Sequence, residues 1–144
     1  MKKVCTLFCL VMVILSMVST SALAVEPAEN VIDLGDGFYA VETITSAPME
    51  RSTDTVRGSK TGKLYYNSTL IGSATISASF DISGSTVRAT KATIDGEGYN
   101  GALFLDGKTT CDDEIVNGWA SFKYNGVQKI LRLSLSCTAG GTFY

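Results

Sequence analysis

Gly72-Ser73-Ala74-Thr75-Ile76-Ser77-Ala78-Ser79-Phe80-Asp81-Ile82-Ser83 alternates without a break. Ala74, Ile76, Ala78, Phe80 and Ile82 hold the even positions, and Ser, Thr or Asp holds every odd one. Strand side chains point to opposite faces at period 2, so this stretch is a half-buried antiparallel strand with one wet face. Working outward, Thr55 to Tyr66 ends in Leu64, Tyr65 and Tyr66 before a turn-like Asn67-Ser68, which makes it the neighbouring strand. On the other side Gly84-Ser85 is a turn, and Val87 to Ile94 alternates poorly. That stretch is predicted as an edge strand, where Arg88 and Lys91 discourage pairing with another chain.

Further upstream, Val31 to Gly37 leads into Phe38 to Thr45, whose β-branched and aromatic content marks a strand. Ser46 to Thr53, with Pro48, reads as a loop. Downstream, two dipeptides carry hairpin chemistry: Asp106-Gly107, after Ala102 to Leu105, and Asn125-Gly126, between Trp119 to Tyr124 and Val127 to Ser136. Type I′ turns need φ > 0 at both central positions, which Asn-Gly and Asp-Gly supply. A two-residue loop at Asn125-Gly126 sets Tyr124 opposite Val127, Phe122 opposite Lys129, Ala120 opposite Leu131 and Gly118 opposite Leu133. One face then carries Ala120, Phe122, Tyr124, Val127, Leu131, Leu133, Leu135 and Cys137, with Lys129 its only charge. The other face, largely toward solvent, carries Trp119, Ser121, Lys123, Gln128, Ile130, Arg132, Ser134 and Ser136.

No apolar stripe at helical spacing follows the first residues. Short strands with frequent turn chemistry predict an all-β chain, a single antiparallel β-sandwich of immunoglobulin-like type or, failing that, a small barrel. Residues 31–144 are the expected domain, and 25–30, polar with Pro27, the expected flexible leader. Residues 1–24 read as a cleaved signal helix. Lys2 and Lys3 open it, Val4 to Val18 is apolar, and Ala22-Leu23-Ala24 forms a cleavage pattern that places the cut before Val25. Export to an extracellular space is the expectation, with no membrane attachment after cleavage.

Composition narrows the chemistry. The chain has 144 residues and no His, which removes the Ser-His-Asp and Cys-His hydrolases and His-ligated zinc. Loss of Lys2 and Lys3 takes the formal charge from −2 to −4, and an acidic chain without a basic patch is not expected to bind nucleic acid. Cys111 and Cys137 are the cysteines left after cleavage, and an even count in an oxidising space predicts a disulfide between them. The hairpin register puts Cys137 opposite Glu114, so this bond requires a bend, for which Asn117-Gly118 is the natural place. Two free thiols are the alternative.

The leader, the opening Ile32-Asp33-Leu34-Gly35-Asp36-Gly37-Phe38-Tyr39-Ala40-Val41-Glu42-Thr43-Ile44, the stretch Gly58-Ser59-Lys60-Thr61-Gly62-Lys63 and the closing Leu133-Ser134-Leu135-Ser136-Cys137-Thr138-Ala139-Gly140-Gly141-Thr142 resemble a group of small secreted proteins of clostridial-type Gram-positive bacteria. The resemblance covers the ends of the chain well and its middle loosely. It implies export and an all-β domain, and no activity. In that group the partner of the C-terminal cysteine lies near the position of Arg88, whereas this chain has its candidate partner later, at Cys111, so the resemblance does not carry the pairing across.

Trp119 is the lone tryptophan, and the register sets it opposite Arg132 and beside Ile130. An indole among polar neighbours on a flat sheet is a stacking platform for a sugar ring or a peptide; the alternative is a structural role, as a cation–π pair with Arg132 or under the N-terminal segment. Asp112, Asp113 and Glu114 form the densest acidic cluster, and with Asp95 and Glu97 they are weak candidates for a Ca²⁺ site. The EF-hand spacing is not met, so a solvated turn is expected there and no metal or cofactor. The function expected is therefore that of a secreted, non-catalytic protein binding an extracellular glycan or protein. The alternative is a bacteriocin-like or toxin-like effector acting on competitor envelopes, for which a cationic, amphipathic chain would be more usual.

Overall fold

The computed structural model describes residues 29–46 and 54–144. The expected signal segment, the leader as far as residue 28 and the Pro48 loop lie outside these. Eight strands and no helix run through the described residues: β1 (Asn30–Gly35), β2 (Phe38–Ser46), β3 (Thr55–Tyr66), β4 (Thr69–Ser83), β5 (Thr86–Gly98), β6 (Leu103–Asp112), β7 (Ile115–Tyr124) and β8 (Val127–Ser136). They form two antiparallel sheets, a larger one in the order β1-β2-β3-β4-β5 and a smaller one in the order β6-β7-β8.

β4 follows its alternation: Ala74, Ile76, Ala78 and Phe80 are buried, and Ser77 and Asp81 are exposed. Its partner β3 occupies the predicted residues, joined by the Asn67-Ser68 turn. β5 is the edge of the larger sheet, and its poor alternation has a local cause. Phe80 pairs with Ala89 while Ser79 pairs with Lys91, so Thr90 is the extra residue of a bulge. Val87 and Ala89 point inward before it, Ala92 and Ile94 after it, and the parity of the strand reverses there.

The β7/β8 hairpin has the predicted register pair by pair, with Asn125 and Gly126 at φ 49° and 80°. Val127, at its tip, is exposed rather than buried. Val31 to Gly35 belongs to a strand of its own, β1, paired with β2 through the Asp36-Gly37 turn. Two further expectations are corrected. Asp106-Gly107 is no turn: β6 runs straight through it, Leu105 is a bulge residue, and Gly107 pairs with Ala120. A Cβ at Gly107 would lie 3.0 Å from the Ile94 side chain, so this glycine answers a packing demand; the turns flanking β6 are Asn100-Gly101 and Asp113-Glu114. Finally, neighbours within each sheet are consecutive in sequence, a meander, whereas an immunoglobulin-like sandwich is built with Greek-key crossovers.

Both inner faces meet in one core. Large side chains of the smaller sheet fit onto glycines of the larger: a Cβ would meet the Phe122 ring at 2.7 Å if built on Gly72, and Leu133 at 2.8 Å if built on Gly62. The reverse also holds, because a Cβ on Gly118 would meet Ile76 at 2.9 Å. The C-terminus closes one end. Ser136 and Tyr144 exchange backbone hydrogen bonds of 3.0 and 3.1 Å, which lays Phe143 against Gly58 and 5.8 Å from the Phe80 ring.

Two lysines fasten β8 to the larger sheet. Lys129, the one charge on the predicted core face of the hairpin, donates to Leu34 O at 3.0 Å and Asp36 Oδ2 at 3.1 Å, and lies 4.9 Å from the centre of the Phe38 ring. Lys60 of β3 pairs with Glu42 at 2.9 Å and donates to Ser134 O of β8 at 3.0 Å. Both cations thus satisfy backbone carbonyls of the opposing sheet.

Candidate functional site

The outer face of the smaller sheet is set by the two ladders of β7. Trp119 pairs with Lys108 of β6 on one side and Arg132 of β8 on the other, so the three side chains form one row across the sheet. Directly opposed residues stand about 5 Å apart at Cβ. Asp106, Thr110, Ile130 and Ser134 flank this row two residues along the outer strands, on the same face. The predicted trio Trp119, Ile130 and Arg132 is therefore brought together, with Ile130 and Arg132 exposed and Trp119 half-buried between its neighbours.

Two features leave the indole open to a ligand. Lys129 over Phe38 is the one cation–π contact among the described residues, so neither Arg132 nor Lys108 stacks on Trp119. The indole N–H has no acceptor among the described residues and is not a buried unsatisfied donor, which leaves it in contact with solvent. Beside the row, Ser121 is buried and holds Gln128 Nε2 on its hydroxyl at 2.7 Å, which fixes the strand surface next to Ile130. The site thus offers an aromatic face, one free N–H and cations on both sides.

Lys108 was not legible as part of this site. Reading a turn at Asp106-Gly107 sends the following residues away from Trp119, and only the continuous β6 returns Lys108 to it. The available signal was Thr109-Thr110-Cys111, which continues the β-rich pattern past the glycine.

The predicted disulfide is overturned. Cys111 is an exposed free thiol and Cys137 a buried one. β7 passes through Asn117-Gly118 with its pairing to β8 unbroken, so the required bend is absent. Cys111, on β6, faces Val116 of β7, while Cys137 follows β8 and donates its N–H to Glu114 O at 3.1 Å. Two strand spacings, about 9.5 Å, separate their lines, more than a disulfide spans. The Cys137 thiol donates to Thr138 O at 3.4 Å, and burial pushes its pKa up, both of which suppress the reactive thiolate. In a chain beginning at Val25, iodoacetamide is expected to add once under native conditions, at Cys111, and twice in denaturant, as read by intact mass. No native adduct, or two, would contradict the arrangement.

Asp112 ends β6, and Asp113 and Glu114 form the β6/β7 turn, with Asp113 at φ 47°. Their backbone carbonyls have structural roles, Asp113 O accepting from Ala89 and Glu114 O from Cys137. No group of three or more acidic or thiol side chains placed to hold a metal ion occurs among the described residues. No protein-family model, curated protein or solved structure matches the chain.

Proposed function

We propose that the chain is an exported, non-catalytic protein of β-sandwich form that binds an extracellular glycan on the outer face of β6-β7-β8. The observation that carries this reading is the Lys108-Trp119-Arg132 row with its unpartnered indole N–H. A pyranose presents an apolar C–H face suited to stacking on indole and a rim of hydroxyls suited to the N–H and the flanking cations. Export rests on the leader and on the resemblance to small secreted proteins. The absence of His in the sequence and the lack of a recognisable catalytic constellation favour binding over catalysis.

Because Trp119 is the lone tryptophan, its emission reports directly on the platform. In a screen of cell-wall and host-type oligosaccharides, the glycan that binds is expected to quench or shift that emission. Trp119→Ala should weaken binding by about thirtyfold, the equivalent of about 2 kcal/mol, while unfolding stays cooperative. A Trp119→Ala variant that binds as the parent does, or an emission that no glycan alters, would reject the reading.

A further inference from the structure

On the far side of the molecule, the outer face of the larger sheet carries two polar rows. Thr45, Ser59, Ser77 and Thr93 lie side by side across β2 to β5, each paired with the next. In the neighbouring row Ser79 stands between Arg57 and Lys91. These rows line an open depression of about 520 Å³, a size that admits a saccharide. At about 4.8 Å per strand, the two cations leave the sheet about 10 Å apart, with the Ser79 hydroxyl midway.

The β5 bulge is what puts the second cation there. Were Thr90 an ordinary paired residue, the inward positions Val87 and Ala89 would be followed by an inward Lys91; as the extra residue of the bulge it lets Ala92 turn in and Lys91 turn out to face Arg57 across Ser79. Bulges recur where a strand re-aims a side chain at a site. Arg57 and Lys91 are both exposed, and neither has an ion pair or side-chain hydrogen bond among the described residues. The carboxylate next along the face, Asp81, accepts from Thr55 Oγ1 at 2.6 Å. Two like charges aimed at one hydroxyl-lined depression, with no counter-ion among the described residues drawn into contact, are complementary to an oxyanion.

We propose that this depression binds a sugar bearing a phosphate or sulfate ester. Arg57 and Lys91 hold the oxyanion from both sides over Ser79, and the hydroxyl row hydrogen-bonds the sugar ring. The site is separate from the Trp119 platform, on the opposite outer face, and does not depend on it.

The test is an amide-shift titration of the protein with glucose 6-phosphate, glucose 6-sulfate, glucose and inorganic phosphate. One or both esters are expected to shift the amides of Ser59, Ser77, Ser79 and Lys91, with glucose and inorganic phosphate binding more weakly; the tighter ester names the preferred headgroup. The double variant Arg57→Gln/Lys91→Gln should lose about tenfold or more in affinity, and parent binding should fall as salt is raised. Both substitutions are on exposed side chains, so unfolding should remain that of the parent, and Trp119→Ala should leave ester binding intact. No shift with either ester at millimolar concentration, shifts confined to other residues, or equal affinity in the double variant would overturn the proposal. Inorganic phosphate binding as tightly as the esters would overturn the role assigned to the sugar.

Discussion

Lys60→Met is expected to lower the unfolding free energy by about 3 to 5 kcal/mol, the range for breaking one partner out of a buried pair. Glu42 is only 6% exposed on the inner face of β2, and Lys60 supplies its counter-charge at 2.9 Å. The variant leaves that carboxylate without its cation and removes the hydrogen bond to Ser134 O that fastens β8 to β3. The double variant Glu42→Leu/Lys60→Met removes both charges together and should recover most of the loss, because well-packed apolar groups replace buried ion pairs at little cost. Urea unfolding of the two singles and the double closes the cycle. A Lys60→Met variant within about 1 kcal/mol of the parent would show that the pair is more solvated than its burial implies.

Phe122→Ala should cost about as much, roughly 3 to 5 kcal/mol, for a different reason. Phe122 is 1% exposed, its ring lies 5.6 Å from that of Phe104, and its edge fills the space that a Cβ at Gly72 would need. Removing the ring opens a cavity between two strands that cannot close on it, since a glycine offers no side chain to move in. The converse substitution, Gly72→Ala, should cost about 1 to 3 kcal/mol by overpacking the ring. Combined with Phe122→Leu, it should cost less than the two singles added together. Strict additivity in thermal or urea unfolding would show that the glycine and the ring do not share this space.

Several mistaken expectations have one physical source, the role of glycine inside strands. Gly107 reads as a turn because Asp-Gly is hairpin chemistry, yet it lies in mid-strand where Ile94 leaves no room for a larger residue. Gly118 reads as a place to bend, yet β7 is regular through it and the glycine makes room for Ile76. In both cases the demand for glycine comes from a side chain on the other sheet, far away in sequence. The disulfide fails for the same reason, since it depended on that bend.

Local properties were legible from residues alone. The period-2 alternation of Gly72 to Ser83 sets which face of β4 is buried, because side-chain direction in a strand depends only on parity. Asn125-Gly126 sets the β7/β8 register, and with it the meeting of Trp119 and Arg132, because only certain residues tolerate φ > 0 at both turn positions. What the tertiary structure alone decided are the meetings that depend on a bulge or on packing between elements, which no turn dipeptide sets. Lys108 reaches the Trp119 row, Lys60 finds Glu42 and Ser134, and Arg57 faces Lys91 across Ser79. The last of these depends on Thr90, an unpaired residue whose effect is to reverse the parity of β5. A bulge costs ladder hydrogen bonds locally and is offset by packing elsewhere, as Ala92 and Ile94 join the core, so its position is settled by the whole fold and not by its neighbours in sequence.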